Sequence, residues 1–546
     1  AAEPRRLCVR CGNGACPFGE DGLPLVGVDE EIYRRLPGFV IATVDKFAAL
    51  PWEGRAGTLF GLVDRKDADG FYGPCDEGYG RPLPEKRLPP PDLIIQDELH
   101  LISGPLGTMV GLYEAAIEEL CLREDAEGHV VRPKIVASTA TVRRAEHQIE
   151  GLFGRSGVTI FPPPGPNRRD SFFAVTQDAK VVPARRYIGI SARGRSFKVV
   201  QLRVGIALLA AAAKLHERHA GPGFNPADPY MTLLAYFSSL RELGGARRIY
   251  EDEVKKRVAA YRSRAKNQGQ HQPFQDRQLG EIAELTSRVS TSEIAEAKDR
   301  LSREFTADHG VDVALATNMI AVGLDITRLG LMIVTGQPIS TSEYIQATSR
   351  VGRDVKRPGL VVTLFNPMRP RDRSHYERFA HFHQTYYRQV ETTSVTPFSL
   401  RALDRGLAGA LVGLVRHSEP GFAKPDGFKR AKHASGRLHK YARKLSRRAG
   451  EANAKEIEAR IIDLLDDWDD LATEHQEANL FYNQAEARGG SVLGVLHEPT
   501  ELPPEGLNQQ KGKKFRAQRS LRDVESVTNV WLKVIGQRDY LEEDHG

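Results

Sequence analysis

Two kinds of apolar spacing alternate along the chain. Short apolar runs end in proline, glycine or acidic residues, and between them lie longer stretches with an apolar residue every third or fourth position. The first kind reads as buried strands and the second as helices with one buried face. GFVIATVDKFAAL predicts a buried strand running into a helix. RLPPPDLIIQDELHLI gives a proline stop, a strand over 93–96 and an acidic turn, and VVRPKIVASTATV gives a strand that ends in small hydroxyl residues. GLYEAAIEELCLRE and RAEHQIEGLFG read as the helices that follow. Strands that alternate with helices imply an α/β fold with a parallel sheet. Ligands in such sheets sit beyond the C-terminal strand ends, where the acidic and hydroxyl clusters fall.

FPPPGPNRR reads as a linker. A second α/β unit follows, with the helix VVQLRVGIALLAAAAKLHERHA and the strands MTLLAYFSS, VDVALATN and LGLMIVTG. RSRAKNQGQHQPFQDRQ reads as a mobile loop, and Ser290 with Glu293 as a capping box for the helix SEIAEAKDRLSREF. After about residue 370 the strand pattern fades into a basic stretch and a long acidic amphipathic helix. The division read from these shifts is 1–90, 91–160, 161–370 and 371–546. No internal repeat is evident.

Composition narrows the class. A chain of 546 residues, 40% hydrophobic, can form two or three cored domains. No apolar run approaches the roughly 20 residues of a membrane span, and the N-terminus lacks a signal-peptide core. No membrane partner is therefore expected. Five cysteines do not make a disulfide scaffold and point to a reducing, cytoplasmic setting. Cys8, Cys11 and Cys16 lie close together in sequence, with Cys75 in a Gly-rich turn. They read either as a closed four-thiolate site for structural Zn²⁺ or as free thiols. A net charge of +6 does not single out a nucleic-acid binder. The charge is concentrated between Lys429 and Arg448, where Lys440, Arg443 and Lys444 could neutralise phosphates or instead pair with the acidic helix. KGKKFRAQR reads as a second basic, mobile loop.

The remaining chemistry sits at strand ends. Asp97 and Glu98, in DELH, suit a carboxylate pair in which Asp97 holds Mg²⁺ and Glu98 activates water, or else a simple helix cap. Ser138, Thr139 and Thr141, in STAT, could couple a nucleotide site to a second domain or could form a hydroxyl turn. ATNMIAVGLDI combines Thr317, Asn318, Gly323 and Asp325. QATSRVGR carries Gln346, then Arg350 and Arg353 on one predicted helix face, where their guanidinium forks suit a transferring phosphoryl group.

In this order, DELH, STAT, ATNMIAVGLDI and QATSRVGR resemble motifs II, III, V and VI of superfamily-2 helicases. TVDKF (Thr43, Asp45, Lys46) resembles motif Ib, and YFSS (Ser238) resembles motif IV. The resemblance implies two RecA-like domains, the first incomplete, with ATP between them and nucleic acid across both. Thr43, Asp45, Lys46, Ser238, Thr317 and Asn318 would then touch nucleic acid. His100 would sense ATP-driven closure opposite Gln346. A narrower resemblance rests on DELHLISGPLG, ATVDKFA, ELTSRVS and SLRDVE. It is to the helicase subunit of the DISARM anti-phage defence systems, and it implies DNA as substrate and a companion protein of the same operon.

Two departures stand out. Motif VI here has Ser349 where glycine usually precedes the first arginine. No G-x-x-x-x-G-K-[ST] phosphate loop is present, and the only Gly-Lys pair is Gly512-Lys513. The chain is therefore expected to be the C-terminal part of an ATP-dependent helicase or translocase, weak or inactive until an N-terminal segment supplies that loop. The alternatives are a non-catalytic DNA-binding scaffold that kept the fold, or a repair helicase of the same superfamily.

Overall fold

The computed structural model describes residues 7–20, 22–84, 87–139, 145–163, 166–167, 170, 172–264, 274–306, 310–317, 325–391, 394–476, 479–483 and 492–522. The chain forms two compact units. One comprises Ala1–Thr139, Arg144–Val158 and Thr393–Gly546, and the other comprises Ala140–Arg143 and Thr159–Thr392.

In the first unit, β1 (Leu93–Gln96) leads through a short turn to helix α1 (Gly104–Leu120), and β2 (Lys134–Ala137) leads to α2 (Ala145–Phe153). β1 and β2 are parallel and in register from Leu93↔Lys134 to Gln96↔Ala137. One face of the pair, Ile94, Ile135 and Ala137, packs on the core of this unit. The strand expected in GFVIATVDKFAAL is not formed. Phe39, Val40 and Ile41 are exposed, and only the 3-10 helix Val44–Ala49 follows. Among the described residues no strand pairs with this run, so it joins no ladder.

The second unit holds a six-stranded, all-parallel sheet. Along the chain lie β3 (Arg186–Ser191), α3 (Phe197–Arg218), β4 (Leu233–Phe237), α4 (Leu240–Arg248), β5 (Glu281–Leu285) and α5 (Thr291–Ser302). β6 (Val311–Ala316), β7 (Leu331–Thr335), α6 (Thr341–Thr348) and β8 (Leu360–Phe365) complete it. The spatial order is β5-β6-β4-β7-β8-β3. Every residue of β4, β6 and β7 is buried, because helices cover both faces. The expected capping box of α5 is present, with Ser290 and Glu293 bonding reciprocally. α3 is long and apolar enough to cross a membrane by length and composition. Here Val200, Ile206 and Leu209 bury one of its faces in the core.

The chain then returns to the first unit with α7 (Leu400–Ser418), α8 (Ser435–Ser446) and α9 (Glu451–Glu474). Leu403, Leu407 and Leu411 of α7 share one core with Met109 and Tyr113 of α1 and with Leu464 and Trp468 of α9. The stretches read separately from the sequence as 1–90, 91–160 and most of 371–546 thus bury a common apolar surface. KGKKFRAQR is not a free loop. Phe515 and Ala517 are fully buried, and Lys511 and Lys514 pair with Asp470, Glu474, Asp463 and Asp467 of α9. Its alternation of basic and apolar residues places the cations on α9's acidic face and the apolar side chains inward.

Candidate active site

Parallel registry sets the first cluster. Because Gln96 faces Ala137, Asp97 and Ser138 leave neighbouring strands at the same end. The Ser138 hydroxyl donates to Asp97 Oδ1, which also accepts the Glu98 N–H at 2.9 Å. These two donors hold the exposed Asp97 carboxyl below the usual carboxylate range. The Ser138 N–H donates to Gln96 O, and Leu99 N–H donates to Ser138 O, both at 2.9 Å. Two turns are thus sewn together by main-chain bonds.

Glu98 adopts a left-handed backbone, with φ 49° and ψ 47°. For a residue with a side chain this costs on the order of 1 kcal/mol, and such strain clusters at working sites. Leu99, fully buried, anchors the turn. His100 Nδ1 lies 3.4 Å from Glu98 Oε2 and 3.3 Å from Thr139 Oγ1. DELH and STAT therefore form one cluster. Thr141 lies outside the described residues.

Sequence reasoning missed Gln148. From α2, its buried side chain donates Nε2–H to Leu99 O at 3.0 Å and to Ile102 O at 2.8 Å, which ties down the turn that carries Glu98 and His100. A Gln in a polar-rich helix gives no sequence signal that separates it from a solvated one.

The second unit carries the other motifs. Ala316 faces Tyr236 in the ladder, so buried Thr317 and exposed Ser238 lie beyond adjacent strand ends. Asn318 and Gly323 lie outside the described residues. Asp325 pairs with Arg353. Gln346 is buried on α6. Ser340 caps that helix through the Glu343 N–H, and the Glu391 carboxylate accepts the Thr341 N–H at 2.9 Å.

One expectation is corrected. α6 ends at Thr348, so Arg350 and Arg353 lie beyond the helix and not on a helix face. Gly352 turns the chain with φ 66°, and a Cβ there would stand 2.2 Å from Gly359 N, so the close approach excludes a side chain. Ser349 is right-handed (φ −71°, ψ −8°), so the position needs no glycine.

The candidate nucleic-acid residues of the first unit are mostly partnered. Asp45 accepts from Ser520 Oγ, Leu521 N–H and Arg522 Nε, and Lys46 pairs with Asp29. Lys440 bonds Glu419 at 2.6 Å, and Lys444 bonds Glu119 at 2.8 Å. Thr43 and Arg443 are exposed.

The cysteines are free thiols, Cys8 exposed and Cys11, Cys16 and Cys75 half-buried. Among the described residues, the only group of three or more potential metal ligands within reach of one another is Asp125, Glu127 and His129, on an exposed turn. Cys8 lies beside Gly22, whereas Cys75 lies beside Gly54 and Arg416. No three of Cys8, Cys11, Cys16 and Cys75 lie within that reach of one another.

Residues 258–355, in the second unit, match the helicase conserved C-terminal domain. Over 540 residues the chain is 40% identical to the DISARM protein DrmA of Bacillus paralicheniformis, covering 96% of this chain and 46% of that protein. The chain thus spans about half the length of the curated relative it matches. Among solved structures it is similar to the DUF1998 helicase MrfA bound to DNA, at 18% identity and TM-score 0.44, covering 70% of this chain and 40% of that one. It is also similar to the Mycobacterium smegmatis helicase Lhr bound to ssDNA and AMP-PNP, at 16% identity and TM-score 0.41, covering 69% and 39%.

Proposed function

We propose that this chain is part of an ATP-dependent motor on DNA, a helicase or translocase working in anti-phage defence. The observation that carries the reading is the Asp97–Ser138 pairing at neighbouring parallel strand ends, in a chain whose second unit matches a helicase C-terminal domain. Asp97 has the chemistry to hold Mg²⁺ through water, since it is exposed and its carboxyl is readily ionised. The ion would neutralise charge on the phosphates. Glu98 orients the attacking water and takes its proton, and His100 and Thr139 relay the state of that cluster. Arg350 and Arg353 meet the charge that develops on the transferring phosphoryl group. A separate segment supplies the phosphate loop, and a protein of the same operon acts with the motor. Similarity to the DISARM protein supports the defence role. DNA binding is largely independent of sequence, since no base-reading module is evident.

The test is DNA-stimulated ATP hydrolysis by this chain, alone and mixed with the polypeptide encoded immediately upstream, with Glu98→Gln as control. Activity that appears only in the mixture and vanishes in the control is the expected result. DNA binding without hydrolysis in any mixture would replace the motor with a scaffold.

A further inference from the structure

The chain returns from the second unit to the first between Thr392 and Thr393. It is anchored on either side of that point. On the second-unit side, Glu391 holds the start of α6. Both of its carboxylate oxygens accept the Thr341 N–H at 2.9 Å, and one also accepts the Thr341 hydroxyl at 2.8 Å. Thr341 is the first residue of α6, so its N–H has no partner within the helix, and the helix dipole favours a carboxylate there. α6 carries Gln346, and Arg350 follows two residues past its end.

On the first-unit side, residues 394–397 are seated on α1, the helix that follows the DELH turn. The Gly104 N–H donates to Ser394 O at 3.2 Å, and the Thr396 N–H donates to Thr108 Oγ1 at 3.1 Å. Three glycines make the bed. A Cβ on Gly107 would stand 3.1 Å from Val395 Cγ2, one on Gly111 2.6 Å from Pro397 Cγ, and one on Gly151 2.8 Å from Val395 O. Val395 and Thr396 are β-branched and Pro397 fixes its own φ, so the seated run is stiff.

We propose that Glu391 is a positioning residue that couples the DELH turn to α6. Through the run seated on α1, a shift of that turn moves the cap of α6, and with it Gln346 and Arg350. Only Thr392 and Thr393 separate the cap from the seated run. Three peptide steps reach at most roughly 11 Å, so slack in the chain absorbs little of such a shift. Ser340 already caps α6 from within the second unit, and Glu391 is exposed, so stability alone does not call for this second cap. The effect on ATP turnover rests on the motor reading, whereas the coupling itself does not.

A glycine-rich insertion between Thr392 and Thr393 tests it, since it lengthens the tether and leaves both anchors chemically intact. In the 546-residue chain mixed with the upstream polypeptide, kcat for DNA-stimulated ATP hydrolysis should fall about tenfold or more. KM for ATP and the urea transition of each unit should stay unchanged. Glu391→Ala should act like the insertion, and Glu391→Gln, which keeps one acceptor, should lose less. Full kcat in the insertion variant, with Glu98→Gln still inactive, would overturn the inference and leave the motor standing. So would a loss of kcat that comes with a lower urea midpoint of the second unit, which makes Glu391 a structural cap only. Hydrogen–deuterium exchange of the chain by itself reads the coupling without hydrolysis. Glu391→Ala should speed exchange at the Gly104 and Thr396 amides on the order of threefold, and in the insertion background it should have no effect there. Unchanged rates at these amides would overturn the inference whatever the hydrolysis result. Acceleration there with no hydrolysis in any mixture keeps the coupling and removes the motor.

Discussion

Gln148 carries more of the candidate site than its place in the sequence suggests. Its amide satisfies two carbonyls, those of Leu99 and Ile102, in a turn where Glu98 is held in a left-handed conformation. Replacing it with Leu keeps the volume and leaves both carbonyls without that donor. Gln148→Leu should cost about 1–3 kcal/mol, read from urea denaturation, and should lower ATP hydrolysis in the complemented mixture by more than it lowers DNA affinity. Equal losses in both would mean that Gln148 serves the unit as a whole and not the turn. The residues of DELH and STAT were legible in the sequence because each ends an apolar run. Gln148 was not, because its role exists only once α2 lies against the turn after β1.

At the scale of elements, α1 shows what close packing does to an acid. Glu114 lies fully buried on it, and burial pushes its carboxyl up to about 8, while the Arg448 guanidinium pulls the other way. The folded state therefore holds a proton that the unfolded chain, near 4.5, has released. The stability this gives is complete below pH 4.5 and is lost as pH rises through about 8. Glu114→Gln should flatten that decline, whose slope reaches about 1.4 kcal/mol per pH unit for one proton. Thermal melts at about pH 5 and about pH 8 check this: the variant should gain at the higher pH and change little at the lower. An equal gain at both would show that Glu114 is ionised when folded. Elements with buried apolar runs were readable, and β4, β6, β7, α3 and α5 fall where the pattern placed them. β3 and β5 were not read, being the two edge strands, half-buried and interrupted by Arg186 and by Glu281 and Glu284. β8 also went unread, although its run LVVTLF is apolar and nearly all buried.

The molecule as a whole joins distant parts of the chain in the first unit. Asp45 bonds Ser520 and Arg522, Trp52 Nε1–H donates to Gln518 O at 3.1 Å, and Phe515 packs against Phe428 and Trp468. If the segment were a loose basic loop, Phe515→Ala would change little. In this fold it should cost about 3–5 kcal/mol, seen as a lower urea midpoint for the first unit with the second unit's transition unmoved. A single shared shift would show that the two units unfold together.

The sequence by itself determined much of what depends on local pattern: the strands β1, β2, β4, β6 and β7, helices such as α3 and α5, and the acidic and hydroxyl residues at the strand ends. Periodicity and capping act over a few residues and leave a direct mark. Only the tertiary structure decided what depends on residues far apart in the chain. It paired Asp97 with Ser138 and Asp325 with Arg353, and placed Arg350 and Arg353 beyond the end of α6. It also returned the C-terminal helices to the core of the first unit. These outcomes follow from which apolar surfaces find one another, and spacing along the chain carries no record of that.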